Sequence, residues 1–256
     1  MGKLIKMDLY RMFKSTSFIV CLILNFLLGL GEAPLGKLLF NLARTLSAET
    51  GDIFPEEVKL SSFFSNPFTM LGLLLILLSL CWFYYADVEN GYIKNIAGQM
   101  PMKGFTILSK FAATAVHNLI FVAMGIIGKI IGTVLVQRIS ADPGVADSIR
   151  MLVLKLLLLQ SICSILLLFV STLRSKPLGM ILAVLIGLGL TSLIYLGINQ
   201  GLSRIFGPET DIIQYMPDTV MGENPLDTVK ALLVSLVTCG IFLPLAIRIF
   251  DRKDVK

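Results

Sequence analysis

Residues 87 to 95 read Asp87-Val88-Glu89-Asn90-Gly91-Tyr92-Ile93-Lys94-Asn95, and the sequence continues through Pro101-Met102-Lys103-Gly104 to Lys110. This polar and basic stretch separates two long apolar runs. A charged side chain at the centre of a bilayer costs roughly 2.5 to 3.5 kcal/mol on insertion scales. The stretch is therefore expected to lie in water at a membrane surface, and its lysines place that surface on the cytoplasmic side.

The composition is that of an integral membrane protein. The chain has 256 residues, of which 55% are hydrophobic and 15% charged, whereas soluble domains carry about 25% charged residues. A transmembrane helix needs about 20 mostly apolar residues. We therefore predict an all-α integral membrane protein with one transmembrane domain over 1–256. The six predicted spans are 16–31, 67–86, 108–136, 150–171, 178–198 and 229–247.

The distribution of lysine and arginine predicts the orientation. With both termini in the cytoplasm, the inner segments hold thirteen basic residues and the outer segments seven, while most of the acids lie outside. Positive charge concentrates on cytoplasmic loops, so this orientation is the predicted one. The basic residues lie beside the ends of spans, which indicates topology and attraction to anionic lipid. Nucleic acid is not an expected partner.

Three segments outside the spans have predicted roles. Residues 1–15 are expected to form an amphipathic elbow helix in the membrane interface; a signal peptide is the competing interpretation, but no A-x-A-like cleavage site follows. The outer loop 32–66 contains a leucine stripe that predicts a short surface helix. The outer loop 199–228 is rich in proline and glycine and would suit a re-entrant pair of short helices, a lid or a plain solvated loop. The leucines of the stripe are Leu35, Leu38, Leu39, Leu42 and Leu46.

Catalytic chemistry is not indicated. Residues 31–37 have the glycine and lysine spacing of a phosphate-binding P-loop, but Leu38 stands where a Ser or Thr should bind magnesium. With one histidine in the chain, an H-E-x-x-H metal site cannot form. The four cysteines fall in apolar spans at unrelated spacings, which indicates neither a disulfide framework nor a zinc site. We predict no catalytic residue, no metal and no cofactor bound by this chain.

The third predicted span carries the candidate residues for a translocation path or a helix seam. Small residues four apart allow another helix to approach closely, either at a dimer or pore-lining contact or in packing within the chain. Ionisable groups in membranes are functional candidates, but Lys129 and Lys155 lie near outer span ends, where their side chains could extend to the headgroups. His117 is expected to serve hydrogen-bonded helix packing rather than proton transfer. The glycines in question are Gly125, Gly128 and Gly132.

This layout resembles the permease subunit of a type-2 ABC exporter, in the bacterial branch that handles lantibiotics, bacitracin-like agents and other amphipathic peptides. The resemblance covers essentially the whole chain. It is sharpest at residues 89–95 followed by Pro101, which are similar to the family's acid-x-Gly-x-Ile-Lys segment before a proline-containing turn. After that proline, members often have Ser-Arg where this chain has Met102-Lys103.

The resemblance implies the transmembrane half of an ATP-driven exporter, located in the bacterial plasma membrane, for an amphipathic peptide or lipid-like compound. In that family the loop corresponding to 87–107 forms a cytoplasmic coupling helix that docks on a separate ATP-binding subunit. Two copies of that subunit bind ATP and magnesium, and two permeases pair, here as an expected homodimer. The coupling residues so implied are Asp87, Glu89, Gly91, Lys94, Pro101 and Lys103.

Two other classes of function stay open. A secondary transporter, which would be independent of ATP, is expected to have inverted repeats, broken helices and paired intramembrane acids, and none of the predicted spans has an acid in its interior. A membrane-embedded immunity or scaffold protein, which sequesters a peptide without turnover, would have the same composition.

Overall fold

The structure is a computed structural model that describes residues 2–47, 54–89, 104–173, 176–206 and 212–252. It consists almost entirely of helices, which agrees with the predicted all-α class of membrane protein. The helices are α1 Gly2–Lys14, α2 Thr16–Ser47, α3 Leu60–Ser65, α4 Met70–Glu89, α5 Phe105–Val134, α6 Val145–Leu173, α7 Lys176–Gly187, α8 Thr191–Phe206, α9 Pro217–Gly222 and α10 Thr228–Arg252. The remaining elements are a 3₁₀ turn Ile213–Tyr215 and two strands, β1 Glu57–Lys59 and β2 Arg138–Ser140.

Four of the described helices, α2, α5, α6 and α10, are long and apolar enough to cross a membrane. A fifth span results if α7 and α8 are counted together, although their axes differ by 85°. The apolar part of α4, Leu71–Ala86, is shorter than these helices. The described helices thus support a multi-pass membrane protein, and the number six stays a prediction.

The first span differs from the prediction. The sequence predicts that it ends at residue 31, but α2 continues without a break through Pro34 to Ser47. Glu32 does not end the helix because its carboxylate forms an ion pair with Lys129 of α5 at 3.1 Å, and proline is tolerated within membrane helices. The leucine stripe therefore belongs to α2 itself, and four of its members, Leu35, Leu38, Leu39 and Leu42, are 54 to 61% exposed in this chain. The side chain of Leu46 lies outside the described residues.

The fifth span also differs, because the predicted single helix 178–198 is broken. Gly189 lies between α7 and α8 with φ +66°, a left-handed conformation that glycine adopts without a steric penalty. The surrounding residues are apolar throughout, so the apolar pattern that predicts one helix cannot indicate the break. The other long helices, α5, α6 and α10, end within five residues of the predicted limits.

Many of the fully buried side chains of the core come from α4 and α6. Leu77, Leu80, Leu158, Leu159 and Leu166 are each 0% exposed. The helices α2 and α10 lie at the periphery, and only 22% of the most apolar stretch of each is buried. In a membrane protein, such exposed apolar faces are expected to contact lipid or a second chain.

Strands β1 and β2 and helix α3 lie together at one end of the helix bundle, which is the outer end in the predicted topology. We call these three elements the cap. Strand β1 pairs in parallel with β2, with Val58 opposite Ile139. This pairing joins the segment before α3 to the connection between α5 and α6. The cap therefore places α3 directly over the ends of α5 and α6.

Candidate functional site

A line of buried polar side chains runs along α5 from one end to the other. A polar group in an apolar interior is costly unless it is hydrogen-bonded, so partners from neighbouring helices are required. The buried polar residues of this helix are Thr106, Ser109, Lys110, Thr114, His117, Asn118, Lys129 and Thr133.

At the amino end of α5, the partners come from α1 and α4. The hydroxyl of Ser109 donates a 2.5 Å hydrogen bond to Asp8, which is 2% exposed. The ammonium of Lys110 donates to the backbone carbonyl of Phe83 at 3.3 Å and lies 4.5 Å from the centre of the Phe83 ring. These contacts hold the predicted elbow helix α1 and the end of α4 against α5.

His117 lies at the middle of α5 with 0% exposure. Its Nε2 is 3.0 Å from the Ser79 hydroxyl of α4, and its ring stacks on Phe121 with centroids 4.3 Å apart. The neighbouring Asn118 donates to Gln160 of α6 at 3.1 Å. The structure therefore places His117 in a hydrogen-bonded contact between helices, the arrangement that a packing role requires.

The glycines of α5 lie at the contact with α2. A Cβ atom at Gly128 would be 2.5 Å from the carbonyl oxygen of Phe26, and one at Gly29 would be 2.6 Å from that of Gly125. A Cβ atom at Gly132 would be closer still to the Leu30 carbonyl. These glycines thus lie where two helices of one chain approach closely, and we call this region the glycine contact.

Asn25 lies within the glycine contact and was not singled out from the sequence. It is 6% exposed, and its amide donates a 2.8 Å hydrogen bond to the carbonyl of Phe121. A hydrogen bond from a side chain to a carbonyl of another helix joins α2 to α5 in addition to their close packing. The only sequence signal was one amide within the apolar run 16–31.

Two buried lysines bind the carboxyl end of α3. Lys129 of α5 donates to the carbonyl of Asn66 at 2.9 Å, and Lys155 of α6 donates to that of Ser65 at 2.7 Å. The last carbonyl groups of a helix lack partners within the helix and attract positive charge. Both lysines therefore stabilise the cap rather than extend into free solvent.

The amino end of α3 receives the opposite charge. Asp142, from the connection between α5 and α6, accepts hydrogen bonds from the Ser61 hydroxyl at 2.7 Å and from the Ser61 N–H at 3.2 Å. The hydroxyl bond is the main reason that the pKa of Asp142 lies below its ordinary value, with smaller contributions from the Ser61 N–H and from the charge of Lys59. The acid at one end and the lysines at the other match the dipole of the helix.

Lys129 also lines a small cavity of about 290 Å³ together with Glu32 and Gln137. The ion pair between Glu32 and Lys129 joins α2 to α5 just beyond the glycine contact. Of the residues predicted for a path or seam, Lys129 and the three glycines thus contact α2, whereas His117 contacts both α4, through Ser79, and α2, through Phe18.

The predicted coupling residues are described only in part. Asp87 lies in the last turn of α4, and its side chain is outside the description; Gly91, Lys94, Pro101 and Lys103 fall wholly outside the described residues. Glu89 is described and forms an ion pair with Lys176, the first residue of α7, at 3.3 Å.

The far end of the same segment also contacts a later helix. The backbone N–H of Gly104 donates a 2.6 Å hydrogen bond to Asp251 in the last turn of α10. The two flanks of residues 90–103 are therefore connected to α7 on one side and to α10 on the other.

The described part of the chain contains neither a cluster of metal-ligand side chains nor a disulfide. Among these residues, no three His, Cys, Asp or Glu side chains lie close enough together to hold a metal ion. The four cysteines are free thiols. A comparison of the sequence with known protein families and with curated proteins found no match.

Proposed function

We propose that this chain is the transmembrane subunit of an ATP-driven exporter for an amphipathic peptide or lipid-like compound. A separate ATP-binding subunit, in two copies, would dock on the loop 87–107 and hold ATP and magnesium. A second, identical permease would complete the assembly. The observation that supports this proposal best is the connection of both flanks of residues 90–103 to distant helices.

The connections give the loop a mechanical role. The Glu89–Lys176 pair joins the end of α4 to the start of α7, and the Gly104–Asp251 bond joins the start of α5 to the end of α10. Because the loop lies between α4 and α5, a force applied to it would act on four helices together. Such rigid-body movement is a common way of switching a membrane protein between two states.

The exposure of the ion pair favours a positional role over a stabilising one. The side chains of Lys176 and Glu89 are 33% and 57% exposed, and ion pairs of this kind contribute only about 0 to 1 kcal/mol. Glu89 thus remains accessible to a docking subunit.

The first experiment tests the partner. The chain is expressed with the ATP-binding subunit encoded by an adjacent reading frame, and the purified complex is reconstituted in liposomes. We expect co-purification and vanadate-sensitive ATP hydrolysis that an amphipathic peptide stimulates. Stable peptide binding with no associated ATPase would instead favour the scaffold or immunity function.

The second experiment tests the docking charge. We expect Glu89→Lys to abolish transport-linked ATP hydrolysis while leaving membrane insertion intact, and Asp147→Lys, an exposed acid at the other end of the bundle, to have no effect. Restoration by the double variant Glu89→Lys/Lys176→Glu would assign the effect to the pair within the chain. Unchanged hydrolysis with Glu89→Lys alone would refute the coupling role.

A secondary transporter is the second candidate, and two observations favour it. The bent pair α7–α8 is a broken helix of the kind found at transporter binding sites. Glu32 lies inside α2 and pairs with Lys129, so an acid does occur within a helix long enough to span. Uptake or release driven by a proton or sodium gradient, in liposomes that hold this chain alone, would select this function.

A further inference from the structure

A cavity of about 480 Å³ lies where the bent pair α7–α8 meets α4, α6 and α9. We call it the outer cavity. Its volume falls within the range of about 300 to 1,000 Å³ that is typical of sites for small molecules. The polar and glycine residues that line it include Asn66, Lys155, Gly189, Ser192, Asp218 and Gly222.

Lys155 brings a positive charge to this cavity. The residue is 4% exposed, and its ammonium donates one hydrogen bond, to the neutral carbonyl of Ser65. It forms no ion pair with any acid in the described ranges. A buried ammonium with no anionic partner is costly, so an anion in the cavity would be stabilised by Lys155.

Asp218 brings a negative charge to the same cavity. Its Oδ2 accepts a 2.5 Å hydrogen bond from the hydroxyl of Thr191, the first residue of α8. Its Oδ1 is buried and has no direct hydrogen-bond partner among the described residues, although the Tyr195 hydroxyl also interacts with this carboxylate. A buried polar atom without a partner in a native fold calls for an unseen water, ion or ligand.

The backbone around the cavity fits a binding site. Residues 188–190, between α7 and α8, are not helical, and irregular backbone at membrane depth is tolerated where it lines a cavity or is buried in protein. Thr191 places Asp218 at the amino end of α8. Asp218 and Lys155 line the same cavity and do not form an ion pair with each other.

We propose that the outer cavity binds a zwitterionic group, whose anion contacts the Lys155 ammonium and whose primary ammonium donates to the Asp218 carboxylate. Two opposite charges that line one cavity and do not pair are complementary to a ligand that carries both. An ethanolamine phospholipid headgroup and a free amino acid or short peptide share this chemistry. The inference does not rest on the proposed exporter function.

The test uses the full chain purified in a maltoside detergent, which has no charge of its own. Isothermal titration is carried out with glycerophosphoethanolamine, glycerophosphocholine and dialanine. We expect glycerophosphoethanolamine or dialanine to bind, and glycerophosphocholine to bind at least about tenfold more weakly, because a quaternary ammonium has no N–H to donate. Binding of glycerophosphoethanolamine alone would identify a lipid headgroup as the ligand, and binding of dialanine alone an amino acid or peptide.

Two variants and their matched controls connect the binding to the cavity. Asp218→Asn should weaken binding by about tenfold or more, the effect expected for loss of a hydrogen bond to a charged group, whereas Asp147→Asn should not. Gly222→Leu should abolish binding, because Gly222 lines the cavity and a Cβ atom there would meet no atom within 4 Å. Gly240→Leu on α10 should leave binding unchanged, because a Cβ atom there also meets no atom within 4 Å but Gly240 does not line the cavity.

The outcomes against the proposal are equally defined. Absence of binding by both glycerophosphoethanolamine and dialanine overturns it, as does wild-type affinity in the folded Asp218→Asn and Gly222→Leu variants. Equal affinity for the choline compound overturns the assignment of a donor to Asp218. Size-exclusion chromatography establishes folding, and if Asp218→Asn fails to fold, Gly222→Leu decides the question. Since ATP hydrolysis is not measured, failure here leaves the exporter proposal standing.

Discussion

The backbone N–H of Gly104 donates a hydrogen bond to Asp251, 147 positions later in the chain. The two residues are so close that a Cβ atom at Gly104 would lie 2.9 Å from Asp251 Oδ2 and 2.6 Å from Cγ2 of Ile247. Glycine is therefore required at the start of α5 for α10 to pack there.

Replacement of this glycine by alanine should destabilise the protein. Gly104→Ala forces Ile247 and Asp251 to move, and overpacking of this kind typically costs about 1 to 3 kcal/mol. The melting temperature of the purified chain in detergent should fall. Gly36→Ala is the control, since a Cβ atom at Gly36 meets nothing within 4 Å. Equal melting temperatures for Gly104→Ala and the wild type would show that α5 and α10 are not in contact here.

The glycine contact should tolerate an added side chain even less than Gly104 does. At Gly128 the obstacle to a Cβ atom is the Phe26 carbonyl, a backbone group that cannot rotate away, so Gly128→Ala must separate α2 from α5. We expect a loss of at least about 1 to 3 kcal/mol, measured as a lower melting temperature in detergent. Gly240→Ala, with no atom in reach, should be neutral or stabilising by up to about 1 kcal/mol, since alanine favours helix over glycine.

Lys129 should be needed for the order of the cap. Lys129→Met keeps the apolar stem but leaves the Asn66 carbonyl and the Glu32 carboxylate without this donor, at a cost of about 1 to 3 kcal/mol. Hydrogen exchange at residues 60–66 should be faster in this variant than in the wild type, whereas exchange in α6 should be the same in both. Lys37→Met, at an exposed position of α2, should leave both rates unchanged. Unaltered exchange at 60–66 in Lys129→Met would argue against the contact with α3.

The contribution of Asp142 should depend on pH. Its pKa is lowered in the folded protein, chiefly by the Ser61 hydroxyl, so its stabilising effect is present above the unfolded pKa of about 3.9 and is lost as pH falls through the folded pKa. Asp142→Asn should melt below the wild type at pH 7, and the difference should shrink towards pH 3. Asp147→Asn is the exposed control. A difference that stays constant with pH would exclude a role for the charge.

The sequence predicts the class of this protein well because apolar runs long enough to cross a bilayer are rare in soluble domains. The prediction fails at Glu32 and Pro34, where a charge and a proline indicate the end of a span. The partner that makes Glu32 tolerable, Lys129, lies about a hundred residues further along and no local pattern reveals it. At Gly189 the failure has the opposite cause, since the bend occurs inside an uninterrupted apolar run.

The candidate site is predicted in a similarly partial way. The glycine spacing on α5 indicates a close contact, but the residues alone leave open whether the partner helix belongs to the same chain. The sequence predicts that the intramembrane lysines extend outwards. It does not identify their acceptors, because these are backbone carbonyl groups, which every residue possesses. Lys155 and Asp218 are more than sixty positions apart, and only the bend between α7 and α8 brings both to the outer cavity.

The charges at the two ends of α3 have a consequence for biosynthesis. A helix of six residues cannot persist alone, and all three charged partners, Lys129, Asp142 and Lys155, follow it in the chain. During synthesis α3 is therefore expected to form only after residue 155 has been synthesised. Assembly of the cap therefore depends on α5 and α6 already being in place, because they and the connection between them supply the charges that hold α3.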